Sequence, residues 1–222
     1  IISFQCAWLY NYYPNEWMAS FLDREPDSRK EKAINIAKNH GFNIRDIDIN
    51  TSGAGWQAVE GNTLVAPLNS IKGLGDKAIE EIIAHRPFNT VEEMLFHPDV
   101  VYRKFNKKSL DALCRAGALK SLIDERFTGD KHFWSAVCVD RPKSLKKLAE
   151  NIETYKEAGD FCLNDRIEFL TELTGTFPMS MVVTDEVLDK LSKRYVPPIS
   201  EFDPDLGVCW GIPRNVNARK TK

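Results

Sequence analysis

Between residues 70 and 86 the chain reads SIKGLGDKAIEEIIAHR, the stretch that restricts its fold most tightly. Leu74, Ala78 and Ile82, with Ile79 and Ile83 beside them, recur at three- and four-residue intervals, while Asp76, Lys77, Glu80 and Glu81 fall on the opposite side. That is the period of an amphipathic helix packed on a core. Gly73 and Gly75 stand at the entrance of this helix, where the first backbone N–H groups lack intrahelical acceptors and the helix dipole is positive. With no Cβ in the way, an anion can approach those peptide nitrogens closely.

Three arrangements contain such a turn. GLGDKA fits the dinucleotide-binding pattern G-x-G-x-x-A, and Glu93 lies about twenty positions on. That pattern requires a strand running into the first glycine and a second strand ending at the acid. Here LNSI separates Leu68 from the turn, and NTVEEML reads as a helix start with Thr90 and Glu93 as a capping box. The second arrangement is a tight interhelical turn without a ligand. The third is a helix-hairpin-helix, in which the bared amides and the neighbouring Lys72 and Lys77 hold a nucleic-acid phosphate.

The 222 residues carry 30 Lys and Arg against 32 Asp and Glu, so any nucleic-acid contact has to come from local basic patches. Residues 102–120 supply one, with Arg103, Lys104, Lys107, Lys108, Arg115 and Lys120 against the single acid Asp111. Another closes the chain, with Arg214, Arg219, Lys220 and Lys222 and no acid. Taken alone, each patch reads as a solvated charged face. The five cysteines, Cys6, Cys114, Cys138, Cys162 and Cys209, are scattered, as are His40, His85, His97 and His132. This spacing suits neither a zinc site nor a disulfide framework and predicts a reduced, cytoplasmic protein. There is no signal-peptide pattern and no apolar run long enough to span a bilayer, so no membrane partner is expected. Because the chain starts at Ile1 inside a helical pattern and stops in a basic, strand-like segment, an excerpt of something larger is expected.

Residues 1–22 predict two helices divided by Pro14. Their aromatic stripe, Phe4, Trp8, Tyr12, Tyr13, Trp17 and Phe21, is expected to be core before it is a stacking surface for bases. Ser28 and Glu31 predict a capped helix ending at Gly41, followed by an extended piece and a hairpin turning at Gly61 and Asn62. After residues 68–86 and a short helix near 91–96, NKKSLDALCRAGALKSL repeats the first motif in outline. Asn106 caps a helix, Leu110 and Leu113 mark its buried side, and Gly117 breaks it. Residues 130–173 are helical with breaks at Pro142 and Gly159, residues 176–209 are punctuated by proline, and a strand begins near Val208. The expected fold is mainly α with a small β element.

The order of these segments resembles the bacterial-type replicative DNA polymerase III alpha subunits, the C family. ISFQCAWLYNYYPNEWMASFL is similar to that family's fingers helix, GFNIRDIDINTSGAGWQA to its P-D-I-N region, LNSIKGLGDKAIEEII to its I-K-G-V-G segment, and FNKKSLDALCRAGALKSL to its N-K-R-x-L-E-x-L-I-x-A-G-A-F segment. The likeness is collinear over residues 1 to about 125, and GVCWGIPRNVNARKTK further resembles the first strand of the family's OB domain. Residues 130–205 match weakly and the family's lysine ahead of the Tyr-Pro is missing, as in a divergent, phage-encoded member.

The resemblance implies a rear fingers subdomain at residues 1–67, a tandem helix-hairpin-helix module at 68–126, a helical and linker region at 127–205 and the start of an OB domain at 206–222. Its implied task is to hold a primer-template duplex behind the polymerase active site. Gly73, Leu74 and Gly75 would contribute amides, Lys72 and Lys77 charge, and Asn106, Lys107 and Lys108 a second phosphate site. The whole polymerase would use Mg2+ in two-metal nucleotidyl transfer, with its palm aspartates in a D-x-D motif this chain lacks. No catalytic or metal-binding residue is expected here. Asp46 and Asp48 have D-x-D spacing but fall at the family's P-D-I-N position and are read as structural. Two other functions stay open on the residues alone: a free-standing DNA-binding or repair accessory protein, and a protein-interaction module in which the glycine turn is silent.

Overall fold

The computed structural model describes residues 1–212. It opens with α1 (Ile2–Tyr12) and α2 (Pro14–Arg24), with Pro14 in the first turn of α2, where its missing N–H costs no hydrogen bond. Met18, Ala19 and Leu22 of α2 pack with Ala33 and Ala37 of α3 (Asp27–Asn39) and with Phe42, Trp56 and Leu64 in a small core. Helix α3 begins one residue before the serine expected to cap it: Pro26 is the N-cap, with no side-chain cap bond. Pro26 already holds the extended backbone of a cap residue, and Asp27 sets a carboxylate against the positive end of the dipole. At the other end Gly41, at φ +83°, stops the helix as expected.

The aromatic stripe divides. Trp17 and Phe21 stack with ring centroids 5.5 Å apart and pack on the small core, as does Tyr10. Apart from the half-buried Tyr10, helix α1 places no residue in the core, and its Phe4 and Tyr12 are 73 % and 62 % exposed. Apolar spacing shows that a helix has a greasy face and leaves open what covers it, so the expectation of core fails for α1.

β1 (Asn43–Arg45) lies parallel to β3 (Thr63–Val65), and β2 (Gln57–Val59) pairs with β3 antiparallel, in the order β1-β3-β2. The β2–β3 connection turns at Gly61 and Asn62, both at positive φ, a region these two residue types tolerate.

A larger core begins at Ile47 and runs to Leu173. Around it lie the 3-10 turn Leu68–Ser70, α4 (Asp76–His85), α5 (Val91–Phe96), α6 (Lys107–Arg115), α7 (Asp130–Trp134), α8 (Leu145–Thr154) and α9 (Leu163–Thr174). A π-helical turn, Ser135–Val139, follows α7. The buried Asn151 of α8 donates to the Ala136 carbonyl at 2.9 Å and to the Asp140 carbonyl at 2.6 Å, pairing oxygens that the turn leaves without an α-helical partner.

Residues 178–222 form a separate compact unit. Its described part holds α10 (Met179–Val182), α11 (Asp185–Lys193) and a single parallel bridge between Pro198 and Trp210. Most of the expected closing strand, with Arg214, Arg219, Lys220 and Lys222, lies outside the described residues. Among the described residues no helix is long and apolar enough to cross a membrane. The fold is mainly α with a small β element.

Candidate nucleic-acid interface

The glycine turn is anchored by buried Ile71 and Leu74 and is open between them and α4. Gly73 sits at φ +88°, in the left-handed region, and Gly75 is the N-cap of α4. The Leu74 N–H donates to the Ile71 carbonyl at 3.1 Å, so that amide closes the turn and faces no ligand. Ala78 and Ile79 both donate to the Gly75 carbonyl, at 2.9 and 3.2 Å. Among the described residues, the N–H groups of Gly73, Gly75, Asp76 and Lys77 have no acceptor in the chain, and all four residues are exposed. Leaving aside the residues on either side in the chain, a Cβ placed on Gly75 would meet nothing within 4 Å among the described residues, and one on Gly73 would meet Lys108, whose Cε lies 3.7 Å away.

The segment expected as a second hairpin keeps its local features, with the glycine after the helix and not before it. Asn106 caps α6 by accepting from the Ser109 N–H at 3.1 Å, Leu110 and Leu113 are buried, and Gly117 ends the helix at φ +79°. Among the expected cations, Lys107 donates through Nζ to the Val139 carbonyl at 2.6 Å. The Lys72 amide donates to the Leu173 carbonyl at 2.7 Å, and its Nζ lies 3.5 Å from where a Cβ on Gly175 would sit. Lys72 thereby lines a polar cleft of about 310 Å³ with Lys30, Asn69, Ser70, Thr174 and Gly175. Lys77 and Lys108 are exposed and make no ion pair or side-chain hydrogen bond among the described residues.

Buried polar contacts hold the two hairpins in place. Sequence periodicity puts Glu81 on the open side of α4, yet it is only 5 % exposed. Its carboxylate accepts from the Val101 N–H at 2.7 Å and from Lys104 Nζ at 2.9 Å, tying α4 to the loop before α6. The Val101 amide first, and then Lys104, hold this carboxyl below the usual glutamate range. No local signal distinguishes Glu81 from its acidic neighbours, because its partners lie about twenty residues away.

Asn50, at the P-D-I-N position, brackets the far end of the hairpin: it donates to the Phe88 carbonyl and accepts from the Phe88 N–H, both at 2.8 Å. Arg86 donates to the Ser52 carbonyl at 2.6 Å, and the Ile49 N–H to the Ala118 carbonyl at 2.9 Å. Asp48 accepts from the amides of Asn50 and Thr51 at 2.9 and 3.2 Å, which is a structural use. Among the described residues no three His, Cys, Asp or Glu side chains come together as metal ligands.

The helix-hairpin-helix motif family matches residues 41–128. That span starts well before residue 68, and the bonds from Ile49, Asn50 and Ser52 give the reason: the segment after β1 is built into the hairpin module. The chain is 28 % identical over 165 residues to a DNA polymerase III subunit alpha of Xylella fastidiosa, covering 72 % of this chain and 13 % of the relative. It is 28 % identical over 163 residues to that of Pseudomonas aeruginosa, covering 71 % and 14 %. An error-prone DNA polymerase of Corynebacterium efficiens is 32 % identical over 118 residues, covering 52 % and 10 %. The first two matches run longer than the 125 or so residues whose motifs carry the resemblance, and each spans about a seventh of its relative. Together with the hairpin motif, these matches support reading the chain as similar to one segment of DNA polymerase III alpha subunits.

Proposed function

We propose that this chain holds duplex DNA for a replicative polymerase through contacts to the sugar-phosphate backbone, independent of sequence. The observation that carries this reading is the open group of peptide N–H donors at Gly73, Gly75, Asp76 and Lys77. An N–H at a helix N-terminus is a phosphate donor that reads no base, as a polymerase requires of the duplex it has just made. The buried ties through Glu81 and Asn50 keep the turn rigid, so little ordering entropy is lost when a phosphate docks.

The DNA polymerase III alpha relatives, of which this segment spans 13–14 %, support reading it as part of a much longer polymerase. Two-metal chemistry belongs to a palm carrying paired aspartates, and this chain alone is expected to extend no primer. Fluorescence anisotropy of a labelled primer-template duplex at several salt concentrations tests the binding. Affinity should fall linearly on logarithmic axes, with a slope near 0.9 per phosphate contacted, and be indifferent to base sequence. Binding that ignores salt, or is absent at low salt, would overturn the proposal. Primer extension by the purified chain would refute its catalytic silence.

A further inference from the structure

Of the four lysines expected to serve the two hairpins, Lys77 and Lys108 are exposed and without a partner among the described residues, whereas Lys72 and Lys107 are engaged elsewhere. Lys107 is drawn away by the Val139 carbonyl. Lys72 belongs to the end of α9: its N–H pairs the Leu173 carbonyl, one of the oxygens a helix leaves orphaned at its C-terminus. Its ammonium stands beside Gly175, where the dipole of α9 is negative. Lys30, the other lysine lining that cleft, is paired with Asp27 at 3.2 Å.

Lys108 differs on each count. It rises from the first turn of α6, in the second hairpin, yet its Cε lies 3.7 Å from where a Cβ on Gly73 would sit, the one approach that close, among the described residues, from outside the flanking Lys72 and Leu74. The 3.7 Å spacing is ordinary van der Waals contact, so the far end of the aliphatic stem touches that face. The ammonium, one bond further on and without a partner among the described residues, is within reach of an anion bonded to the Gly73 N–H.

We infer that Lys108, and not Lys72, is the cation serving the glycine turn, so that both hairpins grip one DNA phosphate between them. The inference rests on the phosphate-holding reading above and sharpens it. Lys72 becomes a positioning residue that docks α9 against the turn. The shared site also gives the Glu81–Lys104 tie a purpose, because Lys108 reaches Gly73 only while α4 and the segment entering α6 keep their relative placement.

The test uses the full chain, a labelled primer-template duplex and anisotropy across a salt series, with thermal unfolding alongside. Lys108→Gln should lower the salt slope by about one and leave the melting temperature unchanged, and Lys108→Arg should restore the slope. Lys72→Gln should keep the slope and lower the melting temperature. Loss of about one from the slope in Lys72→Gln, with Lys108→Gln indistinguishable from the parent, would overturn the assignment while leaving phosphate holding intact. Absence of salt-dependent binding by the unaltered chain would sink both.

Discussion

At Gly73 the backbone passes through φ +88°, a conformation that costs an L-residue about 1–2 kcal/mol. Gly73→Ala should destabilise the chain by about that amount in urea unfolding. Its loss of duplex affinity, measured where the variant is fully folded, should be larger than for Gly75→Ala, because only Gly73 has a lysine lying against its bare face. Glu81 makes a prediction in pH. Its folded pKa lies below its unfolded one, so its stabilisation is complete above the ordinary glutamate value and is lost as pH falls through the lowered folded value. Melting temperatures taken across that acid range should fall in the parent. In Glu81→Gln they should start lower and fall less steeply. Neither role of these residues is fully legible locally: the glycine's turn is, but the lysine beside it comes from another hairpin, and the burial of Glu81 depends on Val101 and Lys104.

Among the elements, caps were legible wherever the partner lies within one turn. Thr90 accepts from the Glu93 N–H at 3.2 Å and Asn106 from the Ser109 N–H at 3.1 Å, as their spacing predicts. The acid completing the first of these boxes bonds the Asn89 N–H at 2.7 Å, one residue before the threonine, a local variation on the same geometry. Asn106→Ala should cost about 1 kcal/mol in urea unfolding and loosen duplex binding by misplacing Lys108. Ser28 failed as a cap because Pro26 starts the helix earlier. Helix α1 failed as core for a different reason: an apolar period reports amphipathicity, and coverage is a property of the neighbours.

For the molecule as a whole, the decisive feature is that the segment following β1 is bonded into the hairpin module. Asn50→Ala removes both bonds to Phe88 at one stroke and should cost about 1–3 kcal/mol, read as a lower urea midpoint with an unchanged m-value. Faster amide exchange should appear at Phe88 and at the neighbouring ends of the module, including Ala118. The sequence by itself determined the helices, the glycine turns and the likeness to DNA polymerase III alpha subunits, because periodicity, capping and left-handed glycines act within a few residues of chain. Only the tertiary structure decided which lysines are consumed by distant carbonyls and helix ends and which stay beside the open amides. Those partners stand from about thirty to a hundred residues apart in the chain, and a charge's availability is settled by whatever folds against it.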